Sequence, residues 1–166
     1  MTARAYLDWN ATAPLHGAAR AAMVAALDAT GNPSSPHGEG RRARGVVEDA
    51  RERIAACLGT RPRSAVFTSG ATEAANWVLA PSAASGRQQA PLAALLVGAS
   101  EHPCVLAGHR FAAERVHVIP VDAQGRIDVE ALEARVAELT ALHGSGSVMV
   151  ALQAANNETG VLHPLA

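Results

Sequence analysis

Leu92 to Gly98 reads LAALLVG, seven residues without a polar side chain. A run of that kind fits a strand covered by apolar structure on both faces. Two further candidate strands follow, Val116 to Val121 and Ser147 to Leu152, and helical spacing fills the gaps between them. The first helical segment is Pro103 to Ala113. The second is Val129 to Leu142, with Asp128 as N-cap and Val129, Leu132, Val136 and Leu139 on one face. Strand alternating with helix predicts an α/β fold, a mostly parallel sheet with helices on both faces and ligands bound outside the carboxyl ends of the strands.

The N-terminal half is read the same way. Tyr6 to Ala13 is extended up to Pro14, and an Ala-rich helix over Leu15 to Asp28 makes its bulkier contacts through Met23, Val24 and Leu27. Gly31, Asn32 and Pro33 end that helix, and a loop dense in Ser, Pro, His and Gly runs to Gly40. From Arg42 to Leu58, Ala43, Val46, Val47, Ala50, Ile54 and Leu58 recur as one buried stripe that stops at Gly59, with Cys57 as a small core hydrophobe. Pro81 to Pro91 reads as a polar surface connection.

Between these lies FTSGATE, Phe67 to Glu73. A strand over Ala65 to Phe67, a turn at Ser69 and Gly70, and a helix from Ala71 to about Leu79 leave helix N-terminal amides facing outward. Together with the Ser69 and Thr72 hydroxyls they suit an anion such as phosphate, although a Gly and a capping hydroxyl are common at any strand-to-helix turn. His102 before Pro103, and Asn156, Asn157 and Glu158 before Gly160, also fall just past strand ends. Each has a plain reading in turn chemistry, with an Asn in left-handed geometry at the second. One crevice could hold them with Ser69 to Thr72.

Composition narrows the function. Apolar residues make up 49% and charged residues 17%, enough for a core, and the formal net charge is −1. All 14 basic residues are Arg, aromatics are 3%, and the run Arg41, Arg42, Arg44 suits a solvated helix face, so nothing points to nucleic acid. Cys57 and Cys104 have no metal-type spacing and cannot form a disulfide scaffold, which suits a reducing cytoplasm; no metal is expected. No signal-peptide core or membrane span is evident.

Five motifs in order, YLDWNATAP (Tyr6 to Pro14), GNPSSPHGEG (Gly31 to Gly40), FTSGATEAAN (Phe67 to Asn76), SEHPCVL (Ser100 to Leu106) and QAANNETGVLHP (Gln153 to Pro164), resemble the cysteine desulfurases. These are fold-type I, pyridoxal-phosphate-dependent members of the class V aminotransferase family. The resemblance implies that Ala71 and Thr72 bind the cofactor phosphate, that His102 stacks on its pyridine ring and assists proton transfer, and that Asn157 hydrogen-bonds its phenolic oxygen. Asn32, Ser34, Ser35 and His37 correspond to a loop near the active site. Glu158 would support its turn, and Cys104, in a helix first turn, is structural rather than the sulfur-carrying nucleophile. Pyridoxal enzymes hold the cofactor as a Schiff base to a Lys, and this sequence has none.

The resemblance therefore implies an N-terminal fragment, with an extended segment over 1–14 and an incomplete cofactor-binding large domain over 15–166, inactive by itself. The parent would be a cytoplasmic homodimer. It would convert L-cysteine to alanine and pass persulfide sulfur to acceptor or scaffold proteins for iron–sulfur cluster or thio-cofactor assembly. Two alternatives stand beside it. One is another class V member, a selenocysteine lyase or an aminotransferase; the other is a non-catalytic α/β module binding phosphate or a nucleotide through Ser69 to Thr72.

Overall fold

The computed structural model describes residues 4–82 and 91–165. It divides into two compact units, 1–67 and 68–166. The second carries the sheet. β1 (Ala94–Gly98) lies between β2 (Val116–Ile119) and β3 (Val148–Ala151), parallel to both, in the order β2-β1-β3. Leu95 is in register with Val116 and Met149, and Val97 with Val118 and Ala151.

The apolar run does what its composition requires. Leu95, Leu96 and Val97 are wholly buried, and alternate residues serve opposite layers. Leu95 and Val97 pack with Leu79, Leu92 and Phe111 on the side of α3 (Ala71–Val78) and α4 (Pro103–Leu106). Ala94 and Leu96 pack with Ile119, Ile127 and Leu139, joined by Leu132 and Val136 of α5 (Val129–His143). β1 is thus covered on both faces, as expected, while Val118 and Val150 on the flanking strands are exposed. Asp128 caps α5 by accepting from the Ala131 amide at 2.9 Å, and Gly144, at φ +93°, ends it in the left-handed region.

The helix expected over Pro103 to Ala113 is four residues long. The Ala107 amide closes onto the Pro103 carbonyl, and the chain then turns so tightly that a Cβ on Gly108 would lie 2.0 Å from the Cys104 carbonyl oxygen. Two tertiary contacts draw it away: the Arg110 amide donates to the Leu79 carbonyl at 2.8 Å, and Phe111 enters the core. A short 3₁₀ turn, Ala113–Arg115, leads into β2.

The first unit holds α1 (Gly17–Leu27), α2 (Gly38–Cys57) and a 3₁₀ turn at Pro62–Ser64. α2 begins four residues before the expected Arg42, with His37 as its N-cap; Gly40 in its first turn sits under the preceding loop, where a Cβ would come within 2.3 Å of the Ser35 carbonyl oxygen. Gly59, at φ +62°, stops it as expected, with the Thr60 amide reaching back to the Ala55 carbonyl. Arg41, Arg42 and Arg44 are exposed, as read.

Three expectations fail here. The α2 stripe is not buried: Ala55 is covered, but Val46, Ile54 and Leu58 are exposed, and so is Cys57. On α1, Met23, Val24 and Leu27 are likewise exposed. Helical periodicity identifies which residues share a face, but burial needs an opposing apolar layer, and this unit has no strand among its described residues. Ala65 to Phe67 is extended without being a strand. In place of a ladder partner, the Arg51 guanidinium donates to the Ala65 carbonyl and lies over the Phe67 ring, 4.9 Å from its centroid. The connection read over Pro81 to Pro91 falls mostly on 83–90, outside the described residues.

Candidate functional site

α3 starts at Ala71 with Gly70 as N-cap, and no side chain caps it. Its first-turn amides therefore lack the usual hydroxyl or carboxylate acceptor. Gly70 is extended, at φ 168°, and a Cβ there would meet open space. Glu73 bends back so that its carboxylate accepts from the Ser69 amide at 2.6 Å. That amide and then the Ser69 hydroxyl hold the Glu73 carboxyl below its ordinary value. Ser69 is thus engaged in closing the turn, and Ala71 and Thr72 remain as the open end of the helix. A phosphate fits that donor set.

His102 is the N-cap of α4. Its Nδ1 accepts from the Cys104 amide at 3.1 Å, which fixes the ring and puts the proton of the neutral imidazole on Nε2. Cys104 is half-buried in the first turn, and its amide serves this cap. α3 and α4 pack against each other.

Past β3 the chain forms a turn organised by Asn156, not by a left-handed Asn. No residue other than glycine has a positive φ among the described residues, and Gly160, at φ +71°, takes that role. The Asn156 side-chain oxygen accepts from the Glu158 amide, the Thr159 amide and the Thr159 hydroxyl at 2.9, 2.9 and 3.1 Å. Asn157, the next residue, is exposed, and its amide donates to Glu158 at 2.9 Å.

The loops after β1 and β3 are joined. The Ser100 carbonyl accepts from the Gln153 side chain at 2.6 Å and from the Asn156 side chain at 2.9 Å, while the buried Glu101 carboxyl accepts from the Gln153 amide. His102 and Asn157 each directly follow a member of this network, so both lie at the carboxyl edge of the sheet. A groove of about 640 Å³ between α3 and β3, lined by Ala75, Val78, Val105 and Met149 among others, reaches Glu101 and Gln153. Sequence reasoning missed Ser100, Glu101 and Gln153. The signal was there: polar residues placed immediately beyond apolar strands at positions that a solvated loop does not require.

In the first unit Asn32 accepts from the Ser34 amide through Oδ1 and from the Ser35 amide through its carbonyl, both at 2.9 Å, which folds the loop back over Gly40. His37 is the N-cap of α2. Its Nδ1 lies 3.4 Å from the Gly40 amide and 3.1 Å from the Glu39 carboxylate. One ring nitrogen serves only one of these at a time: bare, it caps the helix; protonated, it donates to Glu39. Glu39 is held below the ordinary carboxylate value by its own backbone amide, then by Arg42 and His37.

Among the described residues no group of three His, Cys, Asp or Glu is arranged to hold a metal ion, and no helix is long and apolar enough to cross a membrane.

A family model described as Aminotransferase class-V matches residues 5–166. The chain is 39% identical to a protein named cysteine desulfurase from Frankia sp. (strain EuIK1), a match covering 95% of this chain and 38% of that protein. It is 31% identical to a protein named selenocysteine lyase from Homo sapiens, covering 98% and 40%. Among solved structures, a NifS-like protein from Rickettsia africae superposes with a TM-score of 0.75 at 33% identity, over 95% of this chain and 41% of that one. The chain spans about two fifths of the length of these proteins.

Proposed function

The chain belongs to the aminotransferase class V family, and on that premise we propose that it supplies the N-terminal cofactor-binding part of a pyridoxal-phosphate-dependent cysteine desulfurase. The observation that carries the reading is the pair of hydrogen bonds on Ser100, which joins the segment bearing His102 to the one bearing Asn157 beside the sheet edge. In this reading the Ala71 and Thr72 amides and the Thr72 hydroxyl hold the phosphate. His102 would hold the pyridine ring and would offer Nε2 for proton transfer, since Nδ1 is engaged. The neutral amide of Asn157 donates to the phenolic oxygen. The cofactor, when bound, supplies the electron sink that the chemistry at the substrate's α-carbon needs.

The parent activity is conversion of L-cysteine to alanine with sulfur handed to an acceptor protein, for iron–sulfur or thio-cofactor assembly. We place residues 15–166 in its large domain after an extended segment over 1–14, and we assign the parent to the cytoplasm as a homodimer. Both cysteines are free, which suits a reducing compartment. Asn32, Ser34, Ser35 and His37 would supply a loop near the substrate. Among family members, selenocysteine lyase is the second reading, supported by the relative of that name.

Binding of pyridoxal phosphate to the purified chain, followed by absorbance and competed with inorganic phosphate, tests this. Weak saturable binding that His102→Ala and Asn157→Ala each reduce is the expected result. Equal binding of a mononucleotide, unaffected by either substitution, would instead favour a phosphate-binding module and overturn the reading.

A further inference from the structure

His102 and Asn157 share a construction: each is an exposed residue that directly follows a buried polar one. Glu101 is 8% exposed and Asn156 9%. Buried polar groups persist where they are hydrogen-bonded, and these two are bonded across the loops. Glu101 accepts from the Gln153 amide, and Asn156 donates to the Ser100 carbonyl. Gln153 completes the crossing, its side chain donating to the Ser100 carbonyl and, at 3.3 Å, lying within reach of the Ser100 hydroxyl. Neither loop is held by the sheet ladder at this point, since β1 ends at Gly98 and β3 at Ala151. The side-chain network therefore takes over where the strand pairing stops.

We propose that Glu101, Gln153 and Asn156 are positioning residues that set the relative placement of His102 and Asn157. This rests on the reading of those two as cofactor-binding residues. Glu101 acts through its oxygen as an acceptor for the Gln153 amide, not through proton transfer. With its side chain turned inward, the next residue leaves the turn outward as the cap of α4. Asn156 does the same on the other loop. Its oxygen closes the turn from Glu158 to Thr159 while its NH₂ reaches Ser100, so one side chain fixes both the shape of its own loop and its distance from the other.

The test uses the 166-residue chain without cofactor. Nitrogen shifts of the His102 ring report its tautomer, and hydrogen exchange at Cys104 and Gln153 reports the bonds. Glu101→Ala is expected to mix the His102 tautomers and to speed exchange at both amides on the order of tenfold, the size of one net hydrogen bond. Glu101→Gln, which keeps an acceptor oxygen, restores the wild-type signals. Asn156→Asp keeps the turn acceptors but loses the donor to Ser100, and it is expected to shift the Asn157 side-chain resonances even if Glu101→Ala does not fold. Unchanged His102 and Asn157 signals in folded Glu101→Ala or Asn156→Asp would overturn the proposal, whatever happens to thermal stability. Failure of the cofactor reading is separate, because it would appear only in pyridoxal phosphate binding to the wild-type chain.

Discussion

The side-chain amide of Asn156 donates to the main-chain carbonyl of Ser100 at 2.9 Å, across 56 positions of sequence. With the three bonds accepted by its oxygen, this one residue serves two loops. Asn156→Ala takes the shared acceptor from the Glu158 and Thr159 amides and the Thr159 hydroxyl, and leaves the Ser100 carbonyl with Gln153 as its side-chain donor, at a cost of about 1–3 kcal/mol. Urea unfolding should show a lower midpoint at an unchanged slope.

Two glycines should respond in opposite directions. Gly108→Ala puts a methyl against the Cys104 carbonyl oxygen, which as backbone cannot move aside, and should cost roughly 2–3 kcal/mol. Gly45 lies inside α2, and a Cβ there meets nothing within 4 Å. Gly45→Ala should stabilise by about 0.5–1 kcal/mol. Thermal melts of the two variants beside wild type decide the matter.

The wholly buried Leu96 faces α5, and Leu96→Ala should cost about 2–5 kcal/mol. Removing a comparable apolar side chain from the exposed end of the α2 stripe, as in Leu58→Ala at the C-cap, should change stability by less than about 0.5 kcal/mol. Equal losses at the two sites, by chemical denaturation, would mean that the α2 face is covered in solution.

Acid should loosen the chain through lowered carboxyls, Glu73 among them, and through one lowered imidazole, all with the same sign. Glu73 has a folded pKa below its ordinary 4.5, so the carboxylate bond to Ser69 is fully present above that value and is lost as pH falls through the folded one. His117 is lowered from 6.5 by burial first and then by the nearby Arg135 charge, with Glu138 opposing. The unfolded chain then binds more protons than the folded one below 6.5, so stability falls as pH drops toward the folded value. Glu73→Ala should shrink the lower step, which Glu39 and Asp122 share because their carboxyls are lowered as well, and His117→Asn should remove the upper one, read from unfolding midpoints across pH 3 to 7.5.

With 14 Arg and no Lys, the chain offers pyridoxal phosphate no side-chain amine. Borohydride reduction after incubation should leave no pyridoxyl group on any side chain, and cysteine should give no alanine above the free-cofactor control. Mass spectrometry of the digest and an alanine assay check both.

Sequence by itself determined the sheet and its two layers. LAALLVG has no polar side to turn toward solvent, and Val129, Leu132, Val136 and Leu139 can share a face only on a helix, so local chemistry left one solution for β1 and α5. It also marked the turns carrying Thr72, His102 and Asn157, because Gly, Pro and Asn announce where the chain changes direction, although only the last two follow strands. Tertiary structure alone decided the rest. Whether Val46 and Ile54 are buried depends on what lies opposite them, and whether Ala65 to Phe67 is a strand depends on a ladder partner that no local pattern supplies. Pro103 to Ala113 has the propensity for three turns, yet it keeps one because Phe111 gains more in the core than on a helix face. The bonds of Glu101, Gln153 and Asn156 span more than fifty residues, and contacts between loops that far apart exist only once β1 and β3 have paired.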